Sequence, residues 1–200
     1  MRRTSAPRAG RGGRLRIIAG SWRGRILPVP DAPGLRPTGE RIRETLFNWL
    51  APVISGARCL DAFAGSGALG LEAASRGAAR VTLIERSERV ARQLRANLGT
   101  LGAGNCEVVR ADTLRRLAGP PPTTPFDLVF LDPPFDDDLL GPACRLLETG
   151  GWLAPAARIY LEAPAHQGLP ELPPGWAVVR DRTAGAVRYL LAQRHAGPDR

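Results

Sequence analysis

Lysine is missing altogether from the 200 residues, so all 28 basic side chains of the Lys and Arg class are arginine, a mark of arginine-rich coding. Long apolar runs are missing too: none approaches the ~18–20 residues that cross a bilayer, and no membrane segment is expected. The opening stretch MRRTSAPRAGRGGR is basic but lacks the apolar core of a secretory signal, so a cytoplasmic protein is expected. Cysteine is scarce, with Cys59, Cys106 and Cys144 scattered and odd in number. That spacing suits neither a disulfide framework nor a metal site, and reduced thiols with no metal are expected. No internal repeat is present, and a chain of this length buries one good core with room for a small appendage.

Acids are nearly absent from one region only. Residues 1–43 hold eleven arginines against Asp31 and Glu40, which accounts for the whole net charge of +9, while the rest of the chain balances 17 arginines with 17 acids. Coding bias explains abundant arginine but not a local lack of carboxylates. A polyanion that releases counterions on binding, and so a nucleic acid, is the expected partner; a solvated tail is the alternative.

Residues 1–13 are Gly, Arg, Ser and Pro with almost nothing to bury, and read as a disordered basic tail. LRIIAG and RILPVP then flank SWRG as a short β-hairpin with Gly20 and Gly24 at its turns. Thr38 is a candidate N-cap for a helix whose Ile42, Leu46, Trp49 and Leu50 form an apolar face, with Arg41, Glu44, Thr45 and Asn48 opposite and Pro52 as the stop. From residue 58 strands and helices alternate: RCLDAF, LGLEAASRG, RVTLIE, SERVARQLRANLGTL, CEVVRA, DTLRRLAG, FDLVFLD, DDLLGPACRLLETG and ARIYLEA. This rhythm implies an α/β fold, a mostly parallel sheet with helices on both faces and ligands at the carboxyl ends of the strands. WAVVRDRTAGAVRYLLAQR reads as two strands around Thr183, Ala184 and Gly185, an antiparallel hairpin closing the sheet.

Two motifs fall at those carboxyl ends. Gly65, Gly67 and Gly70 of FAGSGALG spell G-x-G-x-x-G after the first strand of the alternating region, a weak signal shared by several cofactors, NAD among them. Glu85 lies 20 residues beyond Gly65 and suits ribose hydroxyls in either case. The fourth strand ends in FLDPPF, residues 130–135. An amino group on a nucleobase is a poor nucleophile because its lone pair is delocalised into the ring. Held by the Asp132 carboxylate and a backbone carbonyl near Pro133, with Pro134 stiffening the turn and Phe135 stacking on the base, the nitrogen can rehybridise and attack an electrophile. Hydride transfer has no use for that turn, so an NAD oxidoreductase leaves it unexplained; a rigid turn with Phe135 in the core is the bland alternative. Asp132, Pro133, Pro134 and Phe135 are the candidate catalytic residues.

The glycine loop with Asp-Pro-Pro-Phe at the fourth strand resembles the class I, S-adenosylmethionine-dependent amino-methyltransferases. RIIAGSWRGRILPVP, GLRPTGERIRETLFNWL, CLDAFAGSGALGLEAASRGA and FDLVFLDPPF together closely resemble the bacterial 16S rRNA guanine(966)-N2-methyltransferase family from about Leu15 to Arg194. The resemblance implies a Rossmann-like, seven-stranded sheet over 35–195, an RNA-docking hairpin over 14–34, and short tails at 1–13 and 196–200. It implies a monomer that transfers a methyl group from S-adenosylmethionine to guanine N2 of small-subunit rRNA in an assembled or assembling 30S particle. Asp61, Phe63, Ala64, Gly65, Ser66 and Gly67 would wrap the methionine part, Glu85 would take the ribose and Asp112 the adenine, with Arg86 and Thr113 also at the cofactor and Thr38 and Arg41 lying over the cofactor or base. Arg14, Arg16, Trp22, Arg23, Arg25 and Arg36 would dock RNA. Residue identity at the turn also suits adenine N6 and cytosine N4, so guanine N2 rests on the resemblance alone. A non-catalytic RNA-binding module of the same fold stays open. Asp136, Asp137 and Asp138 beside the turn are expected to favour the following helix through its dipole.

Overall fold

The computed structural model describes residues 13–32, 38–134 and 138–195. Two strands, β1 (Gly13–Arg16) and β2 (Ile26–Val29), form the expected antiparallel hairpin. The chain continues through α1 (Glu40–Leu50), β3 (Arg58–Asp61), α2 (Ala68–Ser75), β4 (Arg80–Glu85), α3 (Glu88–Leu101), β5 (Cys106–Arg110), α4 (Thr113–Leu117) and β6 (Phe126–Leu131). It ends with α5 (Leu140–Thr149), β7 (Leu153–Pro164), β8 (Trp176–Ala184) and β9 (Val187–Arg194). The large sheet has the order β5-β4-β3-β6-β7-β9-β8, with β3 to β7 parallel and β8 and β9 antiparallel. The strand order reverses beside β3, which opens a crevice between the carboxyl ends of β3 and β6.

Burial on both faces explains why these strands are continuous apolar runs. Successive side chains point to opposite faces, so Leu128, Phe130 and Tyr160 pack with Leu46, Phe47, Leu69 and Leu94 of α1, α2 and α3. Val129, Leu131, Ile159 and Leu161 pack with Leu117, Ala143 and Leu147 of α4 and α5.

Several local expectations change. The N-cap of α1 is Gly39 rather than Thr38, whose hydroxyl is engaged elsewhere. Phe47 and Arg43 join the buried face of α1, while Trp49 is half-buried and stacks on Tyr189 at 5.6 Å. On α3, Asn97 is buried beside Val90, Leu94 and Leu101, and its amide donates to the Pro28 carbonyl of β2 at 3.1 Å. Helix α5 starts at Leu140 and has no side-chain cap; Asp138 is exposed before it, and Asp136 and Asp137 lie outside the described residues. Strand β7 begins earlier than ARIYLEA suggests: it pairs through Leu153 with Phe126, then again from Arg158 with Leu128, and the irregularity between them accommodates Pro155. The final turn falls at Gly185 and Ala186.

The amino-terminal hairpin is bolted to the domain. Leu15, Ile17, Leu27 and Val29 bury against Ala68, Leu71 and Leu101. Glu72 of α2, fully buried, accepts the backbone N–H groups of Ile18 at 2.8 Å and Ala19 at 3.0 Å, and pairs with Arg43 at 3.4 Å and Arg76 at 2.8 Å. Ser75 completes the clamp: its carbonyl accepts Ser21 N–H at 2.7 Å, its hydroxyl accepts Trp22 N–H at 3.0 Å and donates to the Ala19 carbonyl at 2.6 Å. Gly20, at φ 82°, passes so close that a Cβ would stand 1.9 Å from the Ser75 carbonyl oxygen, which excludes any side chain there.

Glu72→Gln would leave Arg43 buried without its charge partner, and a loss of about 3 kcal/mol or more in urea unfolding is expected. A loss below about 0.5 kcal/mol, typical of exposed pairs, would show that shape alone holds the hairpin.

Candidate active site

Each of the five parallel strands carries one acid at, or within two residues of, its carboxyl end: Asp61 on β3, Glu85 on β4, Asp112 after β5, Asp132 after β6 and Glu162 on β7. All five line one cavity of about 740 Å³, where Arg86 is the basic residue among the lining side chains. Thr38, Phe63, Ala64, Gly65, Ser66, Thr113, Pro133 and Pro134 line it as well. The sequence-derived site residues therefore converge, with defined exceptions. Gly67 is not part of the lining; at φ 80° it starts α2, and a Cβ there would meet Leu94 at 2.8 Å and Leu71 at 2.9 Å, so its role is helix packing. Arg41 is exposed on α1 and does not line the cavity. Phe135 and Arg36 lie outside the described residues.

The glycine loop is committed to carboxylates of the chain itself. Gly65 N–H donates to Glu85 Oε2 at 3.0 Å, Ser87 N–H to Glu85 Oε1 at 2.7 Å, and Gly70 N–H, at the start of α2, to Asp61 Oδ2 at 2.9 Å. A dinucleotide pyrophosphate needs such N–H groups free and positive potential around them. Here they are taken by anions. A phosphate-bearing cofactor fits this loop poorly, and a cationic one fits it well.

The acids report the same field. Burial pushes Asp61 up to about 7, the charges of Asp132 and Glu85 add to the rise, and the Gly70 N–H opposes it. Its Oδ1 is buried and has no partner among the described residues, an acceptor waiting for a donor. Burial likewise pushes Asp132 up to about 6 against the Thr38 hydroxyl, which donates to its Oδ2 at 2.9 Å. Glu162 is raised by burial and then by Asp132, while the Tyr160 hydroxyl, donating at 2.6 Å, opposes the rise. Such clustered, perturbed acids in a cavity mark a functional site.

Asp132 follows β6 directly, between the carboxylate-rich cavity and the Pro133–Pro134 turn. Among the described residues none donates a hydrogen bond to the Pro133 carbonyl. Asp112 caps α4 by accepting the Arg115 N–H at 3.0 Å, and it also faces the cavity, so the structural and site roles coexist. Thr113 is turned inward, its hydroxyl bonded to the Ala62 carbonyl, which ties α4 to the glycine loop.

Two residues escaped sequence reading. Glu162 sits in an alternating strand where no motif singles it out, and Arg43 sits on an otherwise apolar helix face. Arg43 links three places: its guanidinium donates to the Thr38 carbonyl at 3.1 Å, to Glu72 at 3.4 Å and to the Arg16 carbonyl at 3.0 Å. On the hairpin, Arg14, Arg16, Arg23 and Arg25 are exposed, whereas Trp22 is half-buried against the core.

Known proteins agree with this geometry. The family model described as Conserved hypothetical protein 95 matches residues 15–193. The chain is 57% identical to the ribosomal RNA small subunit methyltransferase D of Escherichia coli K12, over 92% of both chains. It is 49% identical to the Haemophilus influenzae protein of the same name, over 90% of this chain and 94% of that one. Among solved structures, the candidate methyltransferase yhhF of Escherichia coli superposes with a TM-score of 0.87 at 54% identity, covering 92% of this chain and all of the other. With a family match across nearly the whole described fold and relatives this similar, the chain belongs to the Conserved hypothetical protein 95 family, alongside the ribosomal RNA small subunit methyltransferase D proteins.

Proposed function

We infer that the protein transfers a methyl group from S-adenosylmethionine to the exocyclic N2 of a guanine in 16S ribosomal RNA, the nucleotide at position 966, in an assembled or assembling small subunit. The observation that carries this reading is the junction of a five-acid cavity with the Asp132–Pro133–Pro134 turn. The relatives are named for small-subunit rRNA methylation, which supports the substrate class. Among the described residues no helix is long and apolar enough to cross a membrane.

S-adenosylmethionine, when bound, supplies an electrophilic methyl group on a cationic sulfur. Asp61 and the loop from Phe63 to Ser66 would hold the amino-acid part, where an ammonium would meet anions. Glu85 has one backbone N–H on each oxygen, which fixes its carboxylate and leaves further lone pairs for ribose hydroxyls. Arg86, Asp112 and Thr113 border the adenine end.

Asp132 does the positioning at the reacting nitrogen. Its carboxylate accepts one N2–H, and the Pro133 carbonyl accepts the other, so the lone pair leaves conjugation with the ring and faces the methyl group. Thr38, held through its carbonyl by Arg43, fixes the Asp132 oxygen that is not needed by the base. Phe135 stacks on the flipped or unpaired guanine. The exposed arginines at 14, 16, 23 and 25, with Arg36, bind the RNA backbone around it.

Asp132→Ala removes both acceptor oxygens, and kcat/KM on small subunits lacking the modification is expected to fall at least ~1000-fold. Wild-type turnover by the variant would refute the assignment. Because the folded-state value of Asp132 is raised to about 6, its carboxylate is available above that pH and lost as pH falls through it. The wild-type kcat/KM should therefore drop below about pH 6, well above the ~4 of an ordinary aspartate. Replacing Arg14, Arg16, Arg23 and Arg25 together by Gln spares the buried face of the hairpin. The slope of log affinity for the RNA against log salt is expected to shrink by about 2–3; an unchanged slope would place the RNA on another surface.

A further inference from the structure

The Asp-Pro-Pro turn alone does not distinguish guanine N2 from adenine N6 or cytosine N4, and a second cavity bears on that choice. It has a volume of about 360 Å³ and shares Pro133, Pro134, Leu139 and Glu162 with the larger one, so the two meet along those residues. Its remaining wall is Asp138 and Leu140 at the start of α5, the end of β7 and the segment after it, through Pro170. A nucleobase that presents its amino group to Asp132 from this smaller cavity would have Glu162 beside it.

Glu162 is only 4% exposed, and its two oxygens differ. Oε2 accepts the Tyr160 hydroxyl at 2.6 Å; Oε1 has no hydrogen-bond partner among the described residues. Tyr160 and Tyr189, the cross-strand neighbour of Glu162, are themselves buried in the aromatic packing of β7 and β9 and leave the carboxyl little freedom to turn. An acceptor held on one side and open to the cavity on the other is available to a ligand's donor.

We propose that Glu162 is the specificity-determining residue of the reaction, selecting guanine by accepting its N1–H on Oε1 while Asp132 and the Pro133 carbonyl hold N2. This rests on the guanine N2 reading above. Guanine is the amino-bearing base with an N–H next to the carbon that carries the amino group. Adenine has a bare N1 there and cytosine a bare N3, and each would set a lone pair against the carboxylate. In the empty cavity burial and the Asp132 charge raise Glu162 to about 8. Guanine binding releases that proton to solvent, and because the protonated acid would donate to a bare N1, the two bases are compared at about pH 9, where the carboxylate prevails.

The test uses 2,6-diaminopurine, which keeps the reacting 2-amino group but has a bare N1. Small subunits are assembled on 16S RNA made by splinted ligation, with guanine or 2,6-diaminopurine at the nucleotide that the wild-type protein labels. The wild type is expected to prefer guanine by ~100-fold or more in kcat/KM, because a site built to meet a donor rejects the analogue lacking it. In Glu162→Gln the Tyr160 hydroxyl still donates to the side-chain oxygen, which turns the amide NH₂ toward the cavity and toward a bare N1. The preference should then narrow to about tenfold or less, or reverse. Equal use of both bases by the wild type overturns the proposal, as does an unchanged preference in a Glu162→Gln protein that still binds labelled S-adenosylmethionine. If that variant fails to bind the donor, the wild-type ratio decides. Failure of the wild type to label any guanine of the small subunit overturns the guanine N2 reading itself, and this inference with it.

Discussion

Five carboxylates crowded into one cavity set the terms for everything around them. Like charges in a low-dielectric crevice repel strongly, and the chain relieves this in three ways. Backbone N–H groups of the glycine loop bind Glu85 and Asp61, hydroxyls of Thr38 and Tyr160 bind Asp132 and Glu162, and raised proton affinities keep Asp61, Asp132 and Glu162 partly neutral while the cavity is empty. Among the described residues its lining sets one arginine, Arg86, against five carboxylates, so the cavity is short of positive charge. A cationic methyl donor supplies it, and the same crowding that is unfavourable in the empty protein becomes selectivity for a sulfonium over any phosphate-linked cofactor.

A second constraint ties the basic surface to the reacting turn. The hairpin that carries Arg14, Arg16, Arg23 and Arg25 is locked to α2 by Glu72 and Ser75, and Arg43 runs from the Arg16 carbonyl through Glu72 to the Thr38 carbonyl. Thr38 in turn holds Asp132. In the proposed function, RNA docked on the hairpin would be registered against the Asp132 turn by a continuous set of polar contacts rather than by a tether. Buried ion pairs of this kind contribute little net stability, but they are intolerant of losing one partner, and that suits a part that must hold position.

Much of this was legible in the sequence because the strong signals are local. The βα alternation and the carboxyl-end placement of Asp61, Glu85 and Asp132 follow from short-range pattern. What was not legible depended on contacts distant in the chain. Thr38 looks like a cap, yet its hydroxyl is drawn to Asp132, 94 residues away, and Gly39 takes the cap position. Nothing near Arg43 in the chain announces its partner Glu72, 29 residues away. Glu162 lies in an ordinary strand, and only the meeting of β6 and β7 brings it to the turn. Gly67 belongs to the glycine motif, but its bare backbone serves the packing of Leu71 and Leu94 rather than the cavity.

The charge balance of the cavity can be measured through its protons. At about pH 6 the ammonium of S-adenosylmethionine is already protonated, so titration calorimetry in buffers of different ionisation enthalpy isolates what the protein does. Binding a cation among partly neutral acids should expel protons, on the order of one per donor bound. Binding with no proton release, or with uptake, would contradict the claim that clustered carboxylates hold the methyl donor.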